Sequence, residues 1–156
     1  MINHWDRGRA EIDQLIQQGR LTRIAANRDL AESHLGQART HLAAAATLRE
    51  LDPAGAFTLV YDAARLALAG LLVSQGLRPR GEGAHAVLLE AAIAQLEPPR
   101  QHEIRAFDWM RRLRNDTQYL NTERPSASGD DVDQAIPAAQ SIVDRIAPLL
   151  DVMPPY

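Results

Sequence analysis

The polar residues best suited to chemistry lie close together in one stretch of the chain, around residue 114. An ideal helix advances about 100° per residue, which gathers most of these side chains on one arc and places Arg114 at its border. The residues of that arc are Arg111, Arg112, Asn115, Gln118 and Tyr119. Clustered guanidinium groups bind phosphate through paired N–H donors. One interpretation of this arc is therefore an anion site suited to phosphate.

A solvated helix face is the alternative interpretation of the same residues, and spacing alone favours it. Asp108 is placed to pair with Arg111 or Arg112, and Asp116 is placed to pair with Arg112. Each such helical ion pair contributes only about 0.2–0.5 kcal/mol. The two interpretations differ in whether the arginines are free to meet a ligand.

A second charged pair, Asp62 and Arg65, interrupts an otherwise apolar helix. A buried charge normally needs a partner. A local ion pair or a contact between subunits is the favoured interpretation. In the functional alternative, both side chains reach a groove beside Arg111 and Arg114.

Metal and thiolate chemistry have little support. The chain has no cysteine, which excludes disulfides, thiolate catalysis and cysteine-ligated zinc. His34 and His41 lie too far apart along their helix, because a helical zinc pair needs a spacing of about three or four residues. We therefore predict no metal site and no cofactor.

The loop 78–83 lacks the lysine and hydroxyl residue of a P-loop, and we expect an ordinary exposed connection there.

Composition limits the remaining classes of function. The 156 residues fit one domain. The formal net charge of −3 argues against a dedicated duplex-DNA binder. No apolar run reaches the length of about 18 residues that a membrane span requires, and the first residues lack the apolar core of a signal peptide. We therefore expect a cytoplasmic protein.

Apolar residues recur at helical spacing through most of the chain and predict an all-α, antiparallel bundle of five to six helices. The helices are expected at about 4–18, 22–51, 53–75, 84–96 and 100–120, with a last one ending near 150. The segment 22–51 could also be two helices in a row, because Asn27 and Gly36 are weak points in it. The third is the best defined, because Asp52 is a good N-cap, Pro53 a good first residue and Gly76 a good stop. Residues 1–26 are expected to be a helical extension, and residues 151–156 a loose tail.

Two details of the late helices bear on the site. The fifth helix is predicted to face the core with Ala106, Trp109, Met110, Leu113, Thr117 and Leu120. The last helix contains Pro137, which is tolerable if the helix begins shortly before it, with Asp133 as a candidate cap, or if the helix kinks.

Arg114 and Asn115, followed at the next helical turn by the polar ring of Tyr119, resemble the motif of HEPN domains. These are small helical bundles of prokaryotic toxin–antitoxin and defence systems. The segment 61–72 is similar to the long apolar helix of that family, and the segments 75–79 and 83–85 resemble its usual loop and the start of its next helix. The likeness covers roughly residues 31–150. It implies a homodimer with the Arg114 helix near the interface.

In active members of the family, the arginine is followed by a histidine after roughly four to six residues, and two copies form a metal-independent RNase site. The arginine would stabilise the scissile phosphate while the histidine moves the 2′-hydroxyl proton. Here Arg114 and Asn115 match, whereas Tyr119 takes the place of the histidine. Tyrosine, with a pKa of about 10, is a poor base at neutral pH. The resemblance with this departure implies a protein that acts mainly by binding.

Three functions remain open on these grounds. The first is an antitoxin or accessory subunit of a toxin–antitoxin or defence system, paired with a nucleotidyltransferase as the family's usual gene pairings suggest. Tyr119 would then be a candidate site for nucleotide transfer by that partner. The second is an endoribonuclease that uses Arg114, Asn115 and Tyr119. The third is a helical scaffold with no ligand site.

Two other pairs in the chain meet the bare arginine-to-histidine spacing of the family. They are Arg80 with His85 and Arg28 with His34. Neither pair sits in the expected helix, and so loose a spacing arises easily by chance. We therefore interpret both pairs as coincidence.

Overall fold

Six α-helices and two short strands make up the part of the chain that the computed structural model describes. This part comprises residues 5–96, 101–118 and 126–156, with the backbone alone at 101, 102, 117 and 118. The elements are α1 (Arg9–Gln17), β1 (Leu21–Arg23), α2 (Arg28–Leu48), α3 (Pro53–Gln75), β2 (Leu77–Pro79), α4 (Ala84–Leu96), α5 (Gln101–Gln118) and α6 (Gly129–Ile146), and a 3-10 helix (Ala147–Asp151) follows α6. The expected all-α bundle is confirmed.

Helix α3 is the centre of the bundle and begins and ends where the sequence predicts. The Asp52 carboxylate accepts a hydrogen bond from the Gly55 N–H at 2.8 Å, which caps the first turn. The helix ends at Gly76, whose φ of 79° is readily adopted by glycine. Within the described ranges, α3 is the one helix long and apolar enough to cross a membrane by length and composition. However, 67% of its most apolar window is buried inside the bundle, as in the core helix of a globular protein.

The start of the chain differs from the prediction. The expected helix at 22–51 is instead the strand β1 followed by α2, which begins only at Arg28. Asn27 has an extended backbone, and its side chain accepts a hydrogen bond from the Leu30 N–H at 2.9 Å, so the helix starts after it. Strand β1 pairs antiparallel with β2, with Thr22 opposite Arg78. Residues 21–23 thus satisfy their backbone groups in a ladder rather than in a helix.

The end of the chain is docked, and the prediction of a loose tail is wrong for these residues. Met153 is buried, and the Tyr156 N–H donates to the Gln75 carbonyl oxygen at 2.8 Å. The Tyr156 hydroxyl contacts Asp13 of α1, and the guanidinium of Arg9 lies 4.8 Å from the ring centroid. Burial, followed by the Asp13 contact, raises the pKa of Tyr156 to about 12. The tail therefore ties α1 to the end of α3.

Helix α6 begins well before Pro137, contrary to the expectation that Asp133 caps it. Ser128 and Asp131 form a reciprocal capping box, which satisfies two backbone donors of the first turn. Asp133 instead receives two hydrogen bonds from the Arg49 guanidinium, both at 2.6 Å, which lower the pKa of Asp133. The helix therefore begins at Gly129 and contains Pro137 in its interior.

The turn at Gly76 gives a direct test of this fold. A Cβ added at Gly76 would lie 2.7 Å from the Ile24 carbonyl oxygen, and the positive φ is strained for alanine. We expect Gly76→Ala to lower the free energy of unfolding by about 2–4 kcal/mol, measured by urea denaturation.

Two matched glycines separate the causes. Gly19→Ala has the same sign of φ but meets nothing within 4 Å, so it should cost only about 1–2 kcal/mol. Gly36→Ala lies inside α2 with open space around it and should stabilise by about 0.5–1 kcal/mol. Equal effects of Gly76→Ala and Gly19→Ala would contradict the close approach of the two chain segments.

Candidate functional site

The arginine-bearing helix α5 turns a different face to the core than the sequence predicts. Ile104, Phe107 and Met110 are fully buried, whereas Trp109 and Leu113 are only partly buried. Helix α5 contacts α3, α4 and α6, so apolar residues on more than one side of it find partners. The predicted core face is therefore confirmed at Met110, whereas Ala106, Trp109 and Leu113 only pack against the edge of the core, which is centred on Ile104, Phe107 and Met110. The side chain of Thr117 and the whole of Leu120 lie outside the described residues.

This rotation changes where the arginines lie. On the helical wheel, Arg111 and Arg114 flank Phe107, and both are partly buried. The Arg111 side chain is 27% exposed, whereas the Arg112 side chain is 73% exposed. Two of the three guanidinium groups thus sit on the inward half of α5 and not on the side opposite the core.

The buried ring of Tyr61, on α3, lies against the inward half of α5. Its ring stacks on Phe107 with centroids 5.4 Å apart, and the guanidinium carbon of Arg114 lies 5.4 Å from its centroid, within cation–π range. Its hydroxyl oxygen lies 2.5 Å from Nδ1 of His85 on α4. Tyr61 therefore connects three helices at one point.

His85 sits in the first turn of α4, partly buried among positive charges. Burial lowers the pKa of His85, and the charges of Arg65, Arg114 and Arg111 lower it further against an opposing contribution from Asp62. Burial likewise raises the pKa of Tyr61, although the same arginines oppose this. The ring of His85 is therefore neutral near pH 7 and the phenol keeps its proton. Within the described part of the chain, Nε2 of His85 has no hydrogen-bond partner.

The arginines and carboxylates around Tyr61 and His85 form one charged cluster, in which the carboxylates neutralise the charges of some arginines but not of all. Asp108 pairs with Arg111 at 2.9 Å and with Arg112 at 2.7 Å. The expected local pair of Asp62 and Arg65 forms at 2.7 Å. Arg114 has no carboxylate partner within 4 Å among the described residues, and its guanidinium lies over the neutral Tyr61 ring.

His41 completes the surroundings of the Asp62–Arg65 pair. The His41 Nε2 atom lies 3.5 Å from the second oxygen of the Asp62 carboxylate. The pair also acts at a distance, because Arg65 and Asp62 both contribute to the electrostatic field at His85. Its side chains thus lie in the same neighbourhood as Arg111 and Arg114.

Two clefts open on this cluster and share His85 as a wall. The first has a volume of about 320 Å³ and is lined by Gly81, Gly83, Ala84, His85, Ala86, Arg111 and Asn115. The second has a volume of about 340 Å³ and includes Ile24, Leu30, His34, Arg65, Val73 and His85. The first is the polar one, and part of the loop that was expected to be an ordinary connection forms one of its walls.

A larger cleft, of about 480 Å³, lies between α1 and α4. The arginine in its wall, Arg20, is paired with Glu90 at 2.8 Å, so its charge is compensated. No group of three or more potential metal ligands occurs among the described side chains. The arginine-lined first cleft is therefore the better candidate for a site.

Most of the predicted site residues meet around the first cleft. Arg111 and Asn115 line it, Arg114 lies behind it over Tyr61, and Arg112 projects outward. The side chain of Gln118 and the whole of Tyr119 lie outside the described residues. Asp62 and Arg65 adjoin the cluster from α3.

Sequence reasoning missed two residues, Tyr61 and His85. Tyr61 occupies an apolar position of its helix, and such a position predicts a core residue. The sequence offers two signals at His85, its spacing from Arg80, which we interpreted as coincidence, and its place in the segment 83–85, which resembles a helix start; neither places it in the site. The usable signal was a histidine that is the one polar residue in the first turn of a largely apolar helix, just after a loop that contains two glycines.

The lowered pKa of His85 predicts a pH dependence of stability. Because the folded state disfavours the imidazolium, the unfolded chain binds more protons, and stability falls as the pH drops below about 6.5. We expect His85→Gln to lose less free energy of unfolding between pH 7.5 and 5.5 than the wild-type protein does. The measurement is urea denaturation at each pH, and an unchanged slope would contradict the burial of a neutral ring.

Comparison with known families and proteins gives a match over most of the chain. The family model described as HEPN domain matches residues 31–148, which spans α2 to α6 and includes the whole arginine cluster. No curated protein and no solved structure gives a significant match.

Proposed function

Since the chain belongs to the HEPN domain family, whose members are commonly associated with toxin–antitoxin or defence systems, we propose that it binds phosphate groups of RNA or a nucleotide in the first cleft. One observation carries this proposal. Arg114 is held over the buried Tyr61 without a carboxylate partner in the described residues, next to a cleft that Arg111 and Asn115 line. A guanidinium held in this way is preorganised for an anion.

The chemistry of the cleft fits this ligand class. Asn115 offers amide donors, and Arg111 shares its carboxylate with Arg112, so it keeps donors for a ligand. The volume of about 320 Å³ lies at the lower end of small-molecule sites, which span about 300–1,000 Å³. A phosphate with an adjoining sugar or base matches a polar cleft of this size.

Binding to a short single-stranded RNA tests the proposal. We expect Arg114→Ala to weaken binding about tenfold to a hundredfold, because a hydrogen bond to a charged group contributes about 1.5–3 kcal/mol. The dependence of log K on log salt concentration should also become less steep, by about 0.7 for each phosphate that the variant no longer neutralises. Fluorescence anisotropy at several salt concentrations measures both quantities.

Arg39→Ala is the matched control, because Arg39 is exposed on α2 and has no ion pair within the described residues. It should bind as the wild-type protein does. Equal affinities for the wild-type protein and Arg114→Ala would overturn the proposed site.

Cleavage of the bound RNA is the second candidate function. The observation that favours it is a histidine, His85, in the same cluster as Arg114, although the motif has Tyr119 in the usual histidine position. The same binding mixtures answer the question when the RNA is resolved by length after incubation. Shortened RNA with the wild-type protein but not with Arg114→Ala would assign an endoribonuclease, and intact RNA in both assigns a binding protein.

We further propose a setting in which the protein acts as an antitoxin or accessory subunit, is a homodimer with α5 near its interface, and pairs with a nucleotidyltransferase. The family supports this setting, and the partly exposed apolar side chains Trp109 and Leu113 on α5 are suited to such a contact. We expect co-expressed nucleotidyltransferase to co-purify in a complex that contains two copies of this chain, measured by light scattering. A monomer that retains no partner would contradict the setting and would leave phosphate binding a separate question.

A further inference from the structure

The charge around His85 is unbalanced in a way that selects among phosphates. Three guanidinium groups, those of Arg65, Arg111 and Arg114, and one carboxylate, that of Asp62, act on the imidazole ring. Asp108 pairs with both Arg111 and Arg112, so the whole group comprises four guanidinium charges and two carboxylate charges. This leaves an excess of two positive charges, part of it where burial reduces screening by water. An anion with a single charge leaves part of this excess in place, whereas an anion with two charges balances it.

One edge of the His85 ring is open to a ligand. Its Nδ1 atom is engaged by the Tyr61 hydroxyl at 2.5 Å, and its ring lines both clefts. Its Nε2 atom has no partner among the described residues. A hydroxyl can accept a hydrogen bond as well as donate one, so Tyr61 can remain bonded to Nδ1 when the ring takes up a proton.

We propose that the first cleft binds a terminal phosphate, a phosphomonoester with two negative charges, in preference to an internal phosphodiester, and that His85 takes up a proton when this phosphate binds. The proposal rests on the proposed phosphate binding and names its ligand class. The proton comes from solvent, no covalent bond forms or breaks, and the resulting imidazolium donates from Nε2 to a phosphate oxygen while Nδ1–H donates to the Tyr61 oxygen.

The physical reason is the mutual cancellation of charge. Without an anion, the surrounding arginines repel the imidazolium. A doubly charged phosphate placed among them reverses the sign of the local potential and stabilises the protonated ring. The charged and titratable groups around His85 are Tyr61, Asp62 and Arg65 of α3, Arg111 and Arg114 of α5, and, through the second cleft, His34 of α2 and Arg78 of β2. Asp108 of α5 pairs with Arg111, and His41 of α2 lies against Asp62.

Isothermal titration calorimetry with two oligoribonucleotides of one sequence tests the proposal. One carries a 5′-phosphate and the other a 5′-hydroxyl. At pH 7.5 a phosphomonoester is already largely doubly charged, because its second pKa is about 6, so proton uptake on binding belongs mainly to the protein. We expect the 5′-phosphorylated strand to bind at least about tenfold more tightly.

The binding enthalpy of that strand should vary with the ionisation heat of the buffer. The variation corresponds to an uptake of up to about one proton per complex. The proton uptake is measured on the wild-type protein, so this measurement does not depend on whether a variant folds.

One variant and its control identify the residue that takes up the proton. His85→Gln keeps an N–H donor but cannot titrate, so it should bind without buffer-dependent enthalpy. His34→Gln, which alters a ring that lines only the second cleft and contacts the Leu30 carbonyl oxygen at 2.9 Å, should keep the wild-type proton uptake. Persistence of that uptake in His85→Gln would overturn the assignment.

The outcomes separate this inference from the proposed function. Equal affinities for the two strands, both weakened by Arg114→Ala, would leave phosphate binding standing and refute the preference for a terminal phosphate. Absence of binding by either strand would refute both. Tighter binding of the 5′-phosphorylated strand without proton uptake would refute only the role of His85.

Discussion

The buried side chain of Tyr61 is the point on which the arrangement of the site depends. Its ring stacks on Phe107 of α5 and lies under Arg114, while its hydroxyl bonds to His85 of α4. A buried hydroxyl without a partner costs about 1–3 kcal/mol, so the ring can be buried only where a side chain such as His85 meets it. One tyrosine thus fixes the distance between a histidine and an arginine that come from different helices.

The burial that stabilises this contact also shapes its electrostatics. Water is excluded from part of the space around His85, and the guanidinium groups of Arg65 and Arg114 therefore act on the ring more strongly than they would at an exposed surface. The same apolar packing that belongs to the core keeps the imidazole neutral and leaves Arg114 without a counter-charge in the described residues. Structure and binding chemistry are in this way consequences of one packing arrangement.

Local signals explain which elements could be predicted. The limits of α3 follow from Asp52, Pro53 and Gly76, which act on their own turn of the chain. The strands β1 and β2 could not be found in the same way. Each has three residues, and their partners are separated by the whole of α2 and α3, so nothing near Thr22 in the sequence marks it as paired with Arg78. The docking of Tyr156 against α1 is long-range for the same reason.

The site was predictable in part for a related reason. Arg114 and Asn115 stand out because the motif is contiguous on one helix, and HEPN membership is shown by the family match over residues 31–148. The orientation of α5 was not predictable, because three neighbouring helices rather than one decide which of its faces is buried. The meeting of His85 with Arg114 depends on that orientation and on Tyr61, and no spacing within the sequence encodes it.

A phosphate bound beside Arg114, as proposed above, changes the charge of His85. The most direct measurement is NMR spectroscopy of the histidine rings during titration with a 5′-phosphorylated oligoribonucleotide at pH 7.5. The account predicts that the His85 ring signals move to imidazolium values as the complex forms and that they fail to do so in Arg114→Ala. Saturable binding that leaves the His85 ring neutral and its signals unmoved would contradict it.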